Sequence, residues 1–173
     1  MKKIFTLFLI LGSTMQAFAQ SGTDDIIEPK HVVIRKTGAL VTDSIAHWST
    51  VKEMIAAFGQ PTSTEAMYWE MEDITVNEYH YGSDATFTFE DRGLRLIEIY
   101  SSLFYIGKPG GLVYIKPGEK ISTLQSTFPN SYANRINHDN AIVLRFGLSE
   151  SVIVVYYNPD SNTITKMEQS TGS

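Results

Sequence analysis

The sequence predicts an α+β fold of two layers: one antiparallel sheet built by tandem duplication, strand-helix-strand-strand-strand twice, with two helices on one face. Three observations carry this. Ile121, Leu124 and Phe128 stand seventy residues after Val51, Met54 and Phe58, so one helical spacing occurs twice. Each copy is followed by three short runs of alternating or β-branched apolar residues separated by turn residues. A lead strand precedes each helix, at His31 to Arg35 and at Leu112 to Lys116.

The chain starts with Met1-Lys2-Lys3, an apolar run from Ile4 to Leu11, and the small-x-small sequence Ala17-Phe18-Ala19. That is the pattern of a cleavable secretory signal over residues 1–19. Gly12, Ser13, Thr14 and Gln16 interrupt the run too early for a membrane-crossing helix, so no integral membrane segment is expected after cleavage. With no cysteine anywhere, neither lipid attachment at an N-terminal cysteine nor a disulfide is available. The expected product is exported, periplasmic or extracellular, soluble and not a lipoprotein. Burial alone must hold it together, and a chain of this size buries roughly 70% of its unfolded surface, enough for one core.

Residues 20–30, polar and closed by Pro29, read as a flexible lead-in, and 31–170 as a single duplicated domain. Repeat one covers about 31–102 and repeat two about 111–170. Thr50-Val51-Lys52-Glu53 matches a capping box, in which hydroxyl and carboxylate satisfy the free amides of a helix start. Gly59 and Pro61 end that helix at Phe58.

A three-stranded meander follows, Val76 to Tyr81, Ala85 to Glu90 and Leu94 to Ser101. Tyr79, Tyr81, Phe87, Phe89, Ile97 and Ile99 alternate onto a buried face, leaving Glu78, His80, Thr86, Thr88, Leu96, Glu98 and Tyr100 opposite. The second helix is predicted to run from Ile121 to a stop at Pro129. A second meander takes in Ala141 to Phe146, Val152 to Tyr157 and Thr163 to Gln169, and Phe146-Gly147 corresponds to Tyr81-Gly82.

The helix ends Phe58-Gly59-Gln60-Pro61 and Phe128-Pro129, each followed by a meander with an aromatic-Gly turn, resemble the duplicated helix-plus-sheet domains of the beta-lactamase-inhibitor-protein-like type in small exported Bacteroidota proteins. The resemblance spans about Val32 to Gln169 and implies the same fold. It also implies a concave sheet of the kind that binds protein partners. No inhibitory residue matches position by position, so none is carried over.

The formal charge is −5, and loss of Lys2 and Lys3 with the signal makes it −7. Phosphate backbones are repelled, and no nucleic-acid binding is expected. No Gly-x-Ser-x-Gly turn presents a nucleophile, and His31, His47, His80 and His138 form no HExxH or His-x-His pair. Glu78 and His80 share a strand face and could hold a cation given a third ligand, or be an ordinary polar face. Glu70, Glu72 and Asp73 read as a solvated loop, with acid-base or calcium chemistry as the alternative. Gly107-Lys108-Pro109-Gly110-Gly111 lacks the Gly-Lys-Ser/Thr ending of a phosphate loop and reads as the connector between the copies.

No catalytic residue, cofactor or metal is assigned. Candidate partner-binding residues are Thr86, Thr88, Glu98, Tyr100 and Arg145 on the sheet face turned away from the helices, and Tyr68 and Trp69 in the loop before the first meander. The two loop aromatics serve equally well as interface anchors or as a lid on the core. The functional expectation is a non-enzymatic exported binding domain with an unidentified protein partner. The alternatives are an inhibitor of an extracytoplasmic hydrolase, drawn from the resemblance, and a hydrolase using Glu70, Glu72, Asp73 or His80.

Overall fold

Thr50 starts the first helix as its sequence requires. Its hydroxyl accepts from the Glu53 amide at 3.3 Å, and the Glu53 carboxylate accepts from the Thr50 amide at 2.7 Å. The helix α1 (Val51–Phe58) buries Met54 and Phe58 and ends at Gly59, whose φ of 84° is left-handed and suits a residue without Cβ. The computed structural model describes residues 24–40, 42–91, 93–110, 113–147 and 151–170, so the signal segment lies outside the described residues.

The strands are β1 (Ile26–Ile27), β2 (Val33–Lys36), β3 (Ser44–Ile45), β4 (Ser63–Trp69), β5 (Ile74–Tyr81), β6 (Ala85–Glu90), β7 (Gly93–Ile99), β8 (Phe104–Gly107), β9 (Val113–Ile115), β10 (Ala141–Phe146), β11 (Val152–Asn158) and β12 (Thr163–Ser170). They form two sheets, in orders β1-β10-β11-β12-β7-β6-β5-β4 and β3-β2-β8-β9. All pairs are antiparallel except β1 with β10, which makes the larger sheet mixed.

An α+β fold dominated by strands, with two small helices among the described residues, is therefore observed, but the single shared sheet is not. The lead strand β2 pairs with β3 and β8 and not with either meander, and so belongs to a separate four-stranded sheet. The core joins the sheets. Phe104 of β8 meets the rings of Phe58, Tyr81 and Phe87 at centroid distances of 5.3, 5.5 and 5.7 Å, so helix and both sheets share one apolar interior.

The second helix departs from expectation. Ile121–Leu124 is a single 3-10 turn, and α2 (Pro129–Asn134) begins at the proline expected to stop it. The reason is that proline at the first helical position loses no hydrogen bond, because the amide it lacks would be unpaired there anyway. Ile121, Leu124 and Phe128 are nevertheless buried, as the apolar spacing requires.

Two further segments differ. Residues 63–69, of which Tyr68 and Trp69 are expected in a loop, form β4 along β5, in register from Ser63↔His80 to Trp69↔Ile74. Within the expected lead-in, Ile26 and Ile27 pair with Arg145 and Phe146. Asp25 accepts from the Ser131 amide at 2.9 Å and from the Asn130 side chain at 3.0 Å at the start of α2. No helix among the described residues is long and apolar enough to cross a membrane.

Candidate functional site

Strand alternation divides the eight-stranded sheet into two faces. One carries Tyr79, Phe87, Ile97, Leu144, Ile153 and their neighbours into the core. On the other, His80, Thr86, Glu98, Glu168 and Val154 lie directly opposite one another across five strands. A second row runs Glu65, Glu78, Thr88 and Leu96, and reaches Arg145 by way of Ser170 and Val152.

The centre of this open face is an ammonium group. Lys166 Nζ donates to Glu98 at 2.6 Å and to Glu168 at 3.0 Å, and it lies 5.4 Å from the Tyr100 ring centroid and 5.6 Å from that of Tyr156. Glu98 and Glu168 are cross-strand partners, a repulsive placement that Lys166 offsets. Burial works against the charged lysine, but the two carboxylates outweigh it and push its pKa up. The Tyr100 phenol is pushed up to about 12, first by burial and then by Glu98.

Beside this group, His80 Nδ1 lies 3.1 Å from the Thr86 hydroxyl and Nε2 lies 3.6 Å from Glu78. Among the described residues no group of three His, Asp or Glu side chains is placed to hold a metal, so the Glu78 and His80 pair lacks a third ligand.

Thr86, Thr88, Glu98, Tyr100 and Arg145 thus share a face. The two threonines do not form its surface, being 8% and 0% exposed between longer neighbours. Thr86 lies between His80 and Glu98, and Thr88 between Glu78 and Leu96. The Thr88 hydroxyl has no hydrogen-bond partner among the described residues. Contact area instead comes from Tyr100, 41% exposed, and Tyr156, 36% exposed. Arg145 is exposed but sits three strands beyond β7, roughly 14 Å away at the usual strand spacing.

Tyr68 and Trp69 belong to β4, not to a loop. Tyr68 points to the opposite side from Glu65 and donates to Asp73. It is 58% exposed and covers no core, which removes the lid reading for this residue. Lys166, Glu168 and Tyr156 escaped the sequence reading because their role depends on β12 pairing with β7, a contact between the two meanders that spacing within either cannot reveal.

The acidic turn carries its own cleft, about 650 Å³, lined by Glu72, Asp73, Thr75, Glu90, Asp91 and Arg95. Arg95 pairs with Glu72 and lies 3.7 Å from Glu90, bridging the tips of the β4-β5 and β6-β7 hairpins. His80 is at the other end of β5, seven residues or about 23 Å from Asp73. The acidic residues and His80 therefore do not meet.

No protein-family model matches the chain and no curated protein matches its sequence. Among solved structures, the chain is similar to an extracellular protein containing an SCP domain from Bacillus anthracis str. Ames. The TM-score is 0.43 and the identity 13%, over 73% of this chain and 47% of that one. It is also similar to a cysteine-rich secretory protein from Staphylococcus aureus subsp. aureus Mu50, with a TM-score of 0.40 and 11% identity over 85% and 50% of the two chains.

The chain spans about half the length of these structures, and likenesses this weak assign neither activity nor partner. The strand topology corrects the resemblance to beta-lactamase-inhibitor-protein-like domains, which implied one shared sheet. The pairing of β2 builds a second sheet instead.

Proposed function

We propose that this chain is an exported, non-enzymatic protein-binding domain whose contact surface is the open face of the eight-stranded sheet. The supporting observation is the cluster around Lys166, where two exposed tyrosine rings and two carboxylates are held in place by one ammonium group. Aromatic rings fixed beside polar groups lose little freedom on binding and are the residues that anchor protein interfaces.

Export is supported by the residue pattern of positions 1–19. The inhibitor reading rested on the family resemblance and goes with it. The hydrolase reading loses its geometry, since the acidic turn and His80 occupy opposite ends of β5.

Tandem duplication belongs to the same proposal. The two meanders meet through their last strands, antiparallel, as a two-fold relation would place them. Met54 and Leu124, and Phe58 and Phe128, are buried at equivalent positions. Gly82 and Gly147 end the corresponding aromatic strands with left-handed φ of 61° and 72°.

The test is affinity capture from an extracytoplasmic extract with the parent chain and with a Tyr100→Ala, Lys166→Ala variant. A partner recovered by the parent and lost by the folded variant supports the open face. A partner retained by both sinks it.

A further inference from the structure

Four strands end the two sheets: β1, β3, β9 and β4. The first three are two, two and three residues long, which is itself protection against unwanted pairing. β4 is seven residues long, and every residue of it is exposed except the half-buried Trp69. Its outer edge pairs with no strand among the described residues, and its register with β5 is unbroken by a bulge. It contains no lysine and no proline, the residues that usually blunt such an edge. The backbone amides and carbonyls along this edge form a free hydrogen-bonding template, flanked by the exposed side chains of Met67 and Tyr68.

Charge indicates what the template accepts. Glu65 of β4 lies directly opposite Glu78 of β5, two carboxylates on neighbouring strands of the open face. The sheet's other such pair, Glu98 and Glu168, is bridged by Lys166. No lysine or arginine bridges Glu65 and Glu78 among the described residues, and Glu78 has only His80 at 3.6 Å. The sequence has no lysine or arginine at all between Lys52 and Arg92, while Glu70 and Asp73 add further negative charge to the same hairpin, where Arg95 offsets Glu72. A second copy pairing edge to edge would bring two such acidic hairpins together. A basic strand would instead supply the missing cation.

We infer that β4 is a strand-addition site for an extended, basic segment of another protein, with a lysine or arginine of that segment seated beside Glu65 and Glu78. The added strand extends the eight-stranded sheet at its one long free edge, with main-chain hydrogen bonds giving affinity and the acidic pair giving selectivity. This surface is separate from the Lys166 cluster, so it stands or falls independently of the open-face proposal.

The probe is a short fluorescein-labelled peptide of alternating lysine and valine, titrated against the full chain by anisotropy, with a glutamate-valine peptide as control. The lysine peptide should bind, and raising salt to about 0.5 M should weaken it. Hydrogen exchange should slow at residues 63–69 in its presence. Glu65→Lys turns a repulsion with Glu78 into an attraction, so the variant should fold at least as well as the parent. It should nevertheless bind the lysine peptide about tenfold or more weakly and should gain binding to the glutamate peptide. The Tyr100→Ala, Lys166→Ala variant should bind the lysine peptide as the parent does.

The inference is overturned if the lysine peptide fails to bind at ~1 mM, if it binds without slowing exchange in β4, or if Glu65→Lys leaves its affinity unchanged. A dimer that protects residues 63–69 without peptide would assign the edge to a second copy and overturn it too.

Discussion

Lys166 gathers side chains that are far apart in sequence: Glu98 and Tyr100 from the end of the first meander, and Tyr156 and Glu168 from the second. The phenol of Tyr100 is held neutral to about pH 12, against an ordinary value of 10.0. Because its folded pKa lies above the unfolded one, its contribution to stability is complete below pH 10 and disappears as pH rises through 12. Glu98→Gln removes the carboxylate that adds to the effect of burial, so Tyr100 should titrate at lower pH. Spectrophotometric titration of the phenolate should show this, with Tyr100→Phe identifying the late component. An unchanged midpoint would mean that Glu98 has no influence on the phenol.

At the scale of elements, local signals were most readable where they were self-contained. The capping box of α1 is complete, and Thr50→Ala should cost about 1 kcal/mol in urea unfolding through loss of the hydroxyl acceptor. A cost near zero would mean that tertiary packing alone sets the helix start. The same local logic failed at Pro129, since a proline read as a stop also fits the first position of a new helix. It failed at β4 for a different reason. Ser63 to Trp69 does not alternate cleanly between apolar and polar residues, because an edge strand with both faces wet need not. Its identity as a strand comes from pairing with β5, residue by residue.

Across the whole molecule, the rings of Phe58, Tyr81, Phe87 and Phe104 join α1, the large sheet and the small one. Phe104 is fully buried, and Phe104→Ala should cost about 3 to 5 kcal/mol. Both sheets should be lost in one transition, seen as coincident tyrosine fluorescence and far-UV circular dichroism curves. Separate transitions would mean that the small sheet folds as its own unit. The amino-acid pattern alone marks the buried face of the first meander, the first helix and its cap, and the face holding Thr86, Glu98 and Tyr100. Those follow from periodicity and from contacts close along the chain. Long-range pairing sets the rest: β2 leaves the meanders for a second sheet, β12 carries Lys166 to Glu98, and β4 is the long free edge among the described residues. Each of these depends on which strand pairs with which, and pairing between distant segments is selected by the packing of the whole core, which no local run of residues encodes.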